Sequence, residues 1–257
     1  MKHKLALFAL MLLAYPDTVP APRSIPHERG SIVVSAAQGG ERWTADWTME
    51  PFQENGHPAV RFTERGRGKY SSYNQPIAWR IESIWTADGS FHPLRIEKTV
   101  TDMSGHVIGT EKKTFQSGKA SGLFDRTREG RADETKRLAA PDDTLAPEGI
   151  AGILQFLPFD HWRPQTVHLF TNEPKVYQMK IEMRGKERVK TPGGEYDCYK
   201  IELVPELGAV NLFRSFLPKA YFWFAASDPH FWVKYEGPEN GPGTPHIVME
   251  LKSYEPK

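Results

Sequence analysis

Turn dipeptides at near-even spacing constrain this chain more than any other feature. Asp88-Gly89, Ser104-Gly105, Ser117-Gly118 and Glu129-Gly130 recur every 12 to 16 residues, separated by short stretches that alternate apolar and polar side chains. Such punctuation marks consecutive hairpins, and alternation at period 2 puts one set of side chains on each face of a sheet. Trp79, Ile81 and Trp85 share a face opposite Arg80, Glu82 and Thr86, and Leu94, Ile96 and Val100 repeat the pattern. The next two stretches, Val107 to Phe115 and Lys119 to Arg128, are far more polar and read as edge or solvent-facing strands, where Lys112, Lys113 and Lys119 would discourage edge-to-edge association. The charged run 128–137 reads as a solvated loop.

One helix interrupts the pattern. From Thr144 to Leu157, Thr144 can cap, Pro147 and Glu148 suit a first turn, and Ile150, Ile153, Leu154 and Leu157 fall at helical spacing before Pro158. Strands resume at Tyr177, Met179, Ile181 and Met183, turn at Pro192-Gly193-Gly194, continue through Tyr199, Ile201 and Leu203, and close with Ile247, Met249 and Leu251. The expected fold is all-β and mainly antiparallel, a curved open sheet or partial barrel with one short helix packed against it. Residues 22–257 are expected to form a single domain, since neither half looks able to bury a core alone.

The amino terminus bears on location. A basic start (Lys2, Lys4) precedes the apolar run Leu5 to Ala14, whose length suits a secretory signal and falls short of the roughly 20 residues a spanning helix needs. Residues 1–21 are therefore expected to be removed on export to the periplasm or exterior, leaving no integral membrane segment. The only cysteine, Cys198, is far from any cleavage point, so a lipoprotein is not expected; a single cysteine also leaves no intrachain disulfide or multi-cysteine metal site. With 33 Lys plus Arg against 32 Asp plus Glu there is no basic excess for nucleic acid or an anionic membrane.

The densest chemical signal is aromatic. In Phe213 to Gly237, Tyr221 and Trp223 point to one side of a strand and Phe222 and Phe224 to the other, with Phe231 and Trp232 following the Ser227-Asp228-Pro229 turn. A strand apolar on both faces is either covered twice or lines a cavity. Trp79, Trp85, Tyr221, Trp223, Phe231, Trp232 and Tyr235 are the candidate contacts for an apolar or lipid-like ligand; the competing reading makes the same rings plain core. No nucleophile elbow, zinc-protease helix, phosphate loop or dinucleotide fingerprint occurs. His161 and His168, Asp160-His161 and Asp228-Pro229-His230 read as local hydrogen-bonding turns, and a Ser215, His230 and Asp228 set has nothing to activate the serine. Cys198 shares a face with Lys200 and Glu202 and reads as a partly exposed strand thiol. No cofactor or metal is expected.

Three segments carry a family resemblance: Arg184 to Leu203 (RGKERVKTPGGEYDCYKIEL), the terminal block Phe216 to Leu251, and the helix segment with its Leu157-Pro158-Phe159 end. Together they resemble the bacterial exported domain-of-unknown-function family 3108 over roughly residues 30 to 255. The resemblance implies an envelope-located, all-β protein of uncharacterised role. At fold level it is similar to the lipoprotein-carrier (LolA/LolB-like) group, in which a sheet wraps helices and apolar ligands. The functional expectation is a non-catalytic envelope protein that binds or chaperones an apolar or lipid-like ligand. The alternative is a structural or assembly component with a packed core and a protein partner. A hydrolase with an unrecognised site ranks last.

Overall fold

The computed structural model describes residues 25–89, 91–124, 134–172, 175–206, 218–241 and 243–257. The expected signal, Glu129-Gly130, Phe213 and Ser215 lie outside the described residues.

The meander is present and long. The strands are β1 (Glu28–Ala36), β2 (Glu41–Glu54), β3 (His57–Gly68), β4 (Ile77–Thr86), β5 (Pro93–Asp102), β6 (Val107–Gln116), β7 (Lys119–Phe124) and β8 (Glu134–Ala139). They are followed by β9 (Thr144–Leu145), β10 (Gln165–Phe170), β11 (Val176–Thr191), β12 (Gly194–Pro205), β13 (Ala220–Ala225), β14 (Trp232–Pro238) and β15 (His246–Pro256). All belong to one 15-stranded sheet, in the order β8 through β1, then β15 back down to β9. Neighbours pair antiparallel except β9, which lies parallel to β10. The first and last strands meet in mid-sheet, where β1 pairs with β15 from Glu28↔Pro256 to Ala36↔Ile247.

This order forces the sheet to curl. Laid flat, strands at about 4.8 Å spacing would set the two edges roughly 65 Å apart. Yet only residues 140–143 separate the end of β8 from the start of β9 at the opposite edge, and so short a link spans at most about 18 Å. The edges therefore approach each other without a backbone ladder between them, and the sheet remains an open, curled one. Side chains close the gap: Phe124 and Ala120 of β7 cluster with Ala140 and Phe170 of β10, and Phe115 meets Phe170 edge-on with ring centroids 5.9 Å apart.

The connection between β9 and β10 fills the interior. It holds a five-residue helix, α1 (Ile150–Leu154), and a 3₁₀ turn at Phe159–His161. The helix is shorter than the expected Thr144 to Leu157. Gly149, in the left-handed region at φ 81°, sets its start, and Thr144 belongs to β9 and makes no cap. Ile150, Ile153, Leu154 and Phe159 are buried.

Other expectations are revised where packing overrides polarity. Within the run 128–137, residues from Glu134 onward form the edge strand β8. Strand β6 is not wholly solvent-facing: Lys113 is 1% exposed, on the inner face beside Ile96 of β5. Cys198 shares its face with Lys200 and Glu202 as read, but is fully buried, and burial, reinforced by Asp197 and Glu187, pushes its thiol up to about 12.

Trp79 lies flat across Gly66 of β3, where an added Cβ would fall 2.0 Å from the indole. Substituting Gly66→Ala should displace that ring from its hydrogen bond to Glu64 and lower stability by about 2–3 kcal/mol in urea unfolding. A loss under about 0.5 kcal/mol would show that the indole is not held there.

Candidate functional site

The concave face has two chemically distinct halves. On the carboxy-terminal side the inward rungs are aromatic. Phe159, from the interior connection, stacks on Tyr199 of β12 at 5.0 Å, contacts Phe224 of β13 at 5.4 Å, and meets His230 edge-on at 5.0 Å. Phe222 of β13 packs on Tyr235 of β14 at 4.8 Å. Within the connection itself, Phe156 stacks on Phe91 at 4.3 Å.

The amino-terminal half carries charge inside. Cross-strand register runs Trp47↔Glu64↔Ile81↔Lys98↔Glu111↔Phe124, so Glu64, Lys98 and Glu111 project to the same side as core residues. The adjacent rung, Met49↔Phe62↔Ser83↔Ile96↔Lys113↔Gly122, adds Lys113. Glu148, from the interior connection just before α1, completes the group. Lys113 Nζ donates to Glu148 Oε1 at 2.6 Å and to Asn172 Oδ1. Lys98 Nζ lies 3.8 Å from Glu111 Oε1, and Trp79 Nε1 donates to Glu64 Oε1 at 2.7 Å. Ser83 Oγ donates to the Glu148 carbonyl at 3.3 Å. Buried atoms here that find no hydrogen-bond partner among the described residues include Glu148 Oε2, Glu111 Oε2, Trp85 Nε1 and Trp47 Nε1.

Burial and charge pull against each other in this group. For Glu148, burial would raise the carboxyl pKa, but the ammonium groups of Lys113 and Lys98 outweigh it and hold the pKa below the ordinary value. For Glu64, burial dominates over the Trp79 hydrogen bond and Lys98, so its pKa is raised. Burial acts to lower the Lys98 pKa, yet Glu111, Tyr70 and Glu148 together raise it.

One end of this half is sealed by a further buried carboxylate. The Glu239 side chain is fully sequestered. It accepts both Nε and Nη2 of Arg42 at 3.1 Å, Trp43 Nε1 at 2.9 Å and the Ser71 amide at 2.7 Å. Trp43, Tyr70 and Trp79 pack together there, with Trp43 and Trp79 edge-to-face at 5.1 Å. Another buried carboxylate, Glu28, accepts from Gln155 Nε2 at 2.9 Å and Tyr254 Oη at 2.8 Å, joining β1, β15 and the interior connection; burial raises its pKa despite both donors.

A family model described as a protein of unknown function (DUF3108) matches residues 36–252. The chain belongs to the DUF3108 family. Two solved structures are similar to it over most of its length. One is a candidate exported protein with a YmcC-like fold from Bacteroides fragilis, at 11% identity and a TM-score of 0.34, covering 89% of this chain and 95% of that one. The other is a candidate lipoprotein from Parabacteroides distasonis, at 12% identity and a TM-score of 0.33, covering 90% and 95%. No curated protein matches the chain significantly. No helix among the described residues is long and apolar enough to cross a membrane.

The aromatic positions singled out in this DUF3108 chain do not converge on one spot. Trp79 and Trp85 face the ionic half, at 6% and 0% exposure. Tyr221 and Trp223 lie on the opposite face of β13 from Phe222 and Phe224. Trp223 is 2% exposed there, covered by Lys200 and Lys234 at 4.7 and 4.8 Å from its ring and donating to Glu187 Oε1 at 2.6 Å. Phe231 stacks on Tyr254 at 4.0 Å, Trp232 is buried, and Tyr235 donates to the Pro238 carbonyl at 2.8 Å. The histidine-carboxylate neighbours form separate contacts: Asp160 accepts from Tyr199 Oη, His168 pairs with Asp143, and His230 Nδ1 faces the Ala225 carbonyl. Among the described residues no group of three His, Cys, Asp or Glu could hold a metal ion.

No sequence motif marks Glu64, Lys98, Glu111, Lys113 and Glu148 as an interior group. The available signal was period 2 itself, since Lys98 sits between Ile96 and Val100 on a face otherwise assigned to the core.

A carboxyl whose folded pKa lies above its unfolded value binds its proton more tightly when folded. Glu64 and Glu28 should therefore each cost stability as pH rises from their ordinary 4.5 through the raised folded values. Glu64→Gln keeps an acceptor for Trp79 and should flatten part of this slope in pH-dependent urea unfolding; an unchanged slope would contradict the burial of that carboxyl.

Proposed function

We propose that this protein is a non-catalytic component of the cell envelope that binds an amphipathic, lipid-like molecule inside its curled sheet. The observation that carries the reading is that the concave face is filled by a separate piece of chain. The sheet presents an aromatic wall and an ionic cluster, and the connection from Ala146 to Phe159 supplies the apolar groups that cover them. A surface built this way offers both requirements of an amphiphile: rings against which alkyl chain is buried at roughly 25 cal/mol per Å², and polar atoms for a headgroup. The unpartnered Glu148 Oε2, Glu111 Oε2 and Trp85 Nε1 are hydrogen-bonding capacity left open beside the aromatic surface. Non-catalytic action is supported by the pairing of the interior carboxylates, which face lysines, indoles or tyrosine and not an imidazole poised for proton transfer. Envelope location is supported by the basic start and apolar run of residues 1–14.

The structural or assembly reading has an observation of its own. Trp79, Trp85, Trp223, Trp232 and Phe231 are all at or below 9% exposure, so these rings already act as core.

Native mass spectrometry of the exported protein against extracted envelope lipids separates the two. The binding reading expects a co-purifying or added lipid adduct that Trp232→Ala diminishes several-fold. A protein that carries no lipid under any loading, with Trp232→Ala merely lowering its melting temperature, would overturn it in favour of the assembly reading.

A further inference from the structure

Resting on that binding reading, we infer that the interior connection is an internal mimic of the ligand, and that the ligand is therefore an anionic amphiphile. The segment has the layout of one. Glu148 places a single carboxylate at one end, and Ile150, Ile153, Leu154 and Phe159 follow as a buried apolar tail, interrupted once by Gln155, which donates to Glu28. Glu148 itself is 7% exposed and reaches Lys113, which is 1% exposed, at 2.6 Å. The tail lies against Met49, Phe62 and Trp85 near Gly149 and Gly152, and against Tyr199 and Phe224 at Phe159.

Charge accounting identifies what must replace the segment. In the closed state Lys98 faces Glu111 and Lys113 faces Glu148. If the connection swings out, Glu148 leaves with it. Lys98 keeps Glu111, while Lys113 retains the neutral Asn172 amide and loses its nearest carboxylate. A buried ammonium stripped of its partner is strongly unfavourable. A replacement tail with a carboxylate or phosphate at its end restores the charge, whereas a neutral tail of equal length does not.

The segment is also built to be displaceable. Its helix has five residues, begins at a left-handed glycine and has no side-chain cap, so little of its order is intrinsic. Besides the apolar contacts it is held at few polar points: Glu148 to Lys113, Ser83 to the Glu148 carbonyl, Gln155 to Glu28, and Asp160 to Tyr199.

The test compares laurate with 1-dodecanol, equal chains with and without an anionic end, by equilibrium dialysis. The full chain should bind laurate about tenfold more tightly than dodecanol, the size expected of one charge-assisted contact. Glu148→Gln, which weakens the internal competitor and frees Lys113, should tighten laurate binding several-fold. Lys113→Met should abolish the preference, and Lys113→Arg should restore it. Removing one member of a buried pair can unfold a protein, so the double variant Lys113→Met with Glu148→Leu, which leaves no orphan charge, serves as the second test; it should bind both chains equally. Equal binding of both chains by the unaltered protein, or no gain in Glu148→Gln, overturns the mimic while the binding reading stands. Binding of neither chain by any variant overturns both.

Discussion

The link between β8 and β9 governs this fold. Four residues join the two outermost strands of a fifteen-strand sheet, and a chain that short cannot bridge a flat sheet. Curling follows, and from curling follow a concave face, two edges that face each other without a ladder, and an interior too large for one layer of side chains. The chain meets the last two demands with neighbouring segments. Phe124 and Phe170 close the seam, and the residues after β9 turn inward and fill the hollow.

The filling sets the chemistry. A helix of five residues cannot stabilise itself, so the connection is held by what it meets: an aromatic wall for Phe159, and Lys113 for Glu148. Isolated buried charges would be intolerable, and the ionic half is tolerable because Lys98 faces Glu111 and Lys113 faces Glu148, while Glu64 accepts from the Trp79 indole. Each pair nonetheless leaves a carboxylate oxygen open, at Glu111 and Glu148. A purely structural core would be served as well by apolar side chains at these positions. The retention of charge beside rings is what turns a packing solution into a candidate binding surface.

Local sequence carried the strands and missed the charges for the same reason. Period 2 and the Gly-containing turns located the hairpins at Asp88-Gly89, Ser104-Gly105 and Ser117-Gly118, because these depend on backbone conformations read a few residues at a time. The inward course of Lys113 depends on Glu148, 35 residues away, and the burial of Cys198 depends on neighbouring strands. Neither dependence is written locally, so Lys113 reads as an edge guard. The expected helix is longer than α1 because apolar spacing at Ile150, Ile153, Leu154 and Leu157 is a statement about one face; the left-handed Gly149 that starts the helix belongs to the turn entering the interior. The family pattern spans residues 36–252 and places the chain in a family of unknown function.

The central claim is that the interior connection is an occupant held in the sheet and not an inseparable part of it. Native-state hydrogen exchange tests this directly through the amides of Ile153, Phe156 and Leu157, whose acceptors lie within the connection itself, against the amides paired between β1 and β15. The account predicts that the connection exchanges through a sub-global opening, with a free energy clearly below that of the β1–β15 ladder and a shallow denaturant dependence. Exchange of both sets only through global unfolding, at one common free energy, would contradict it.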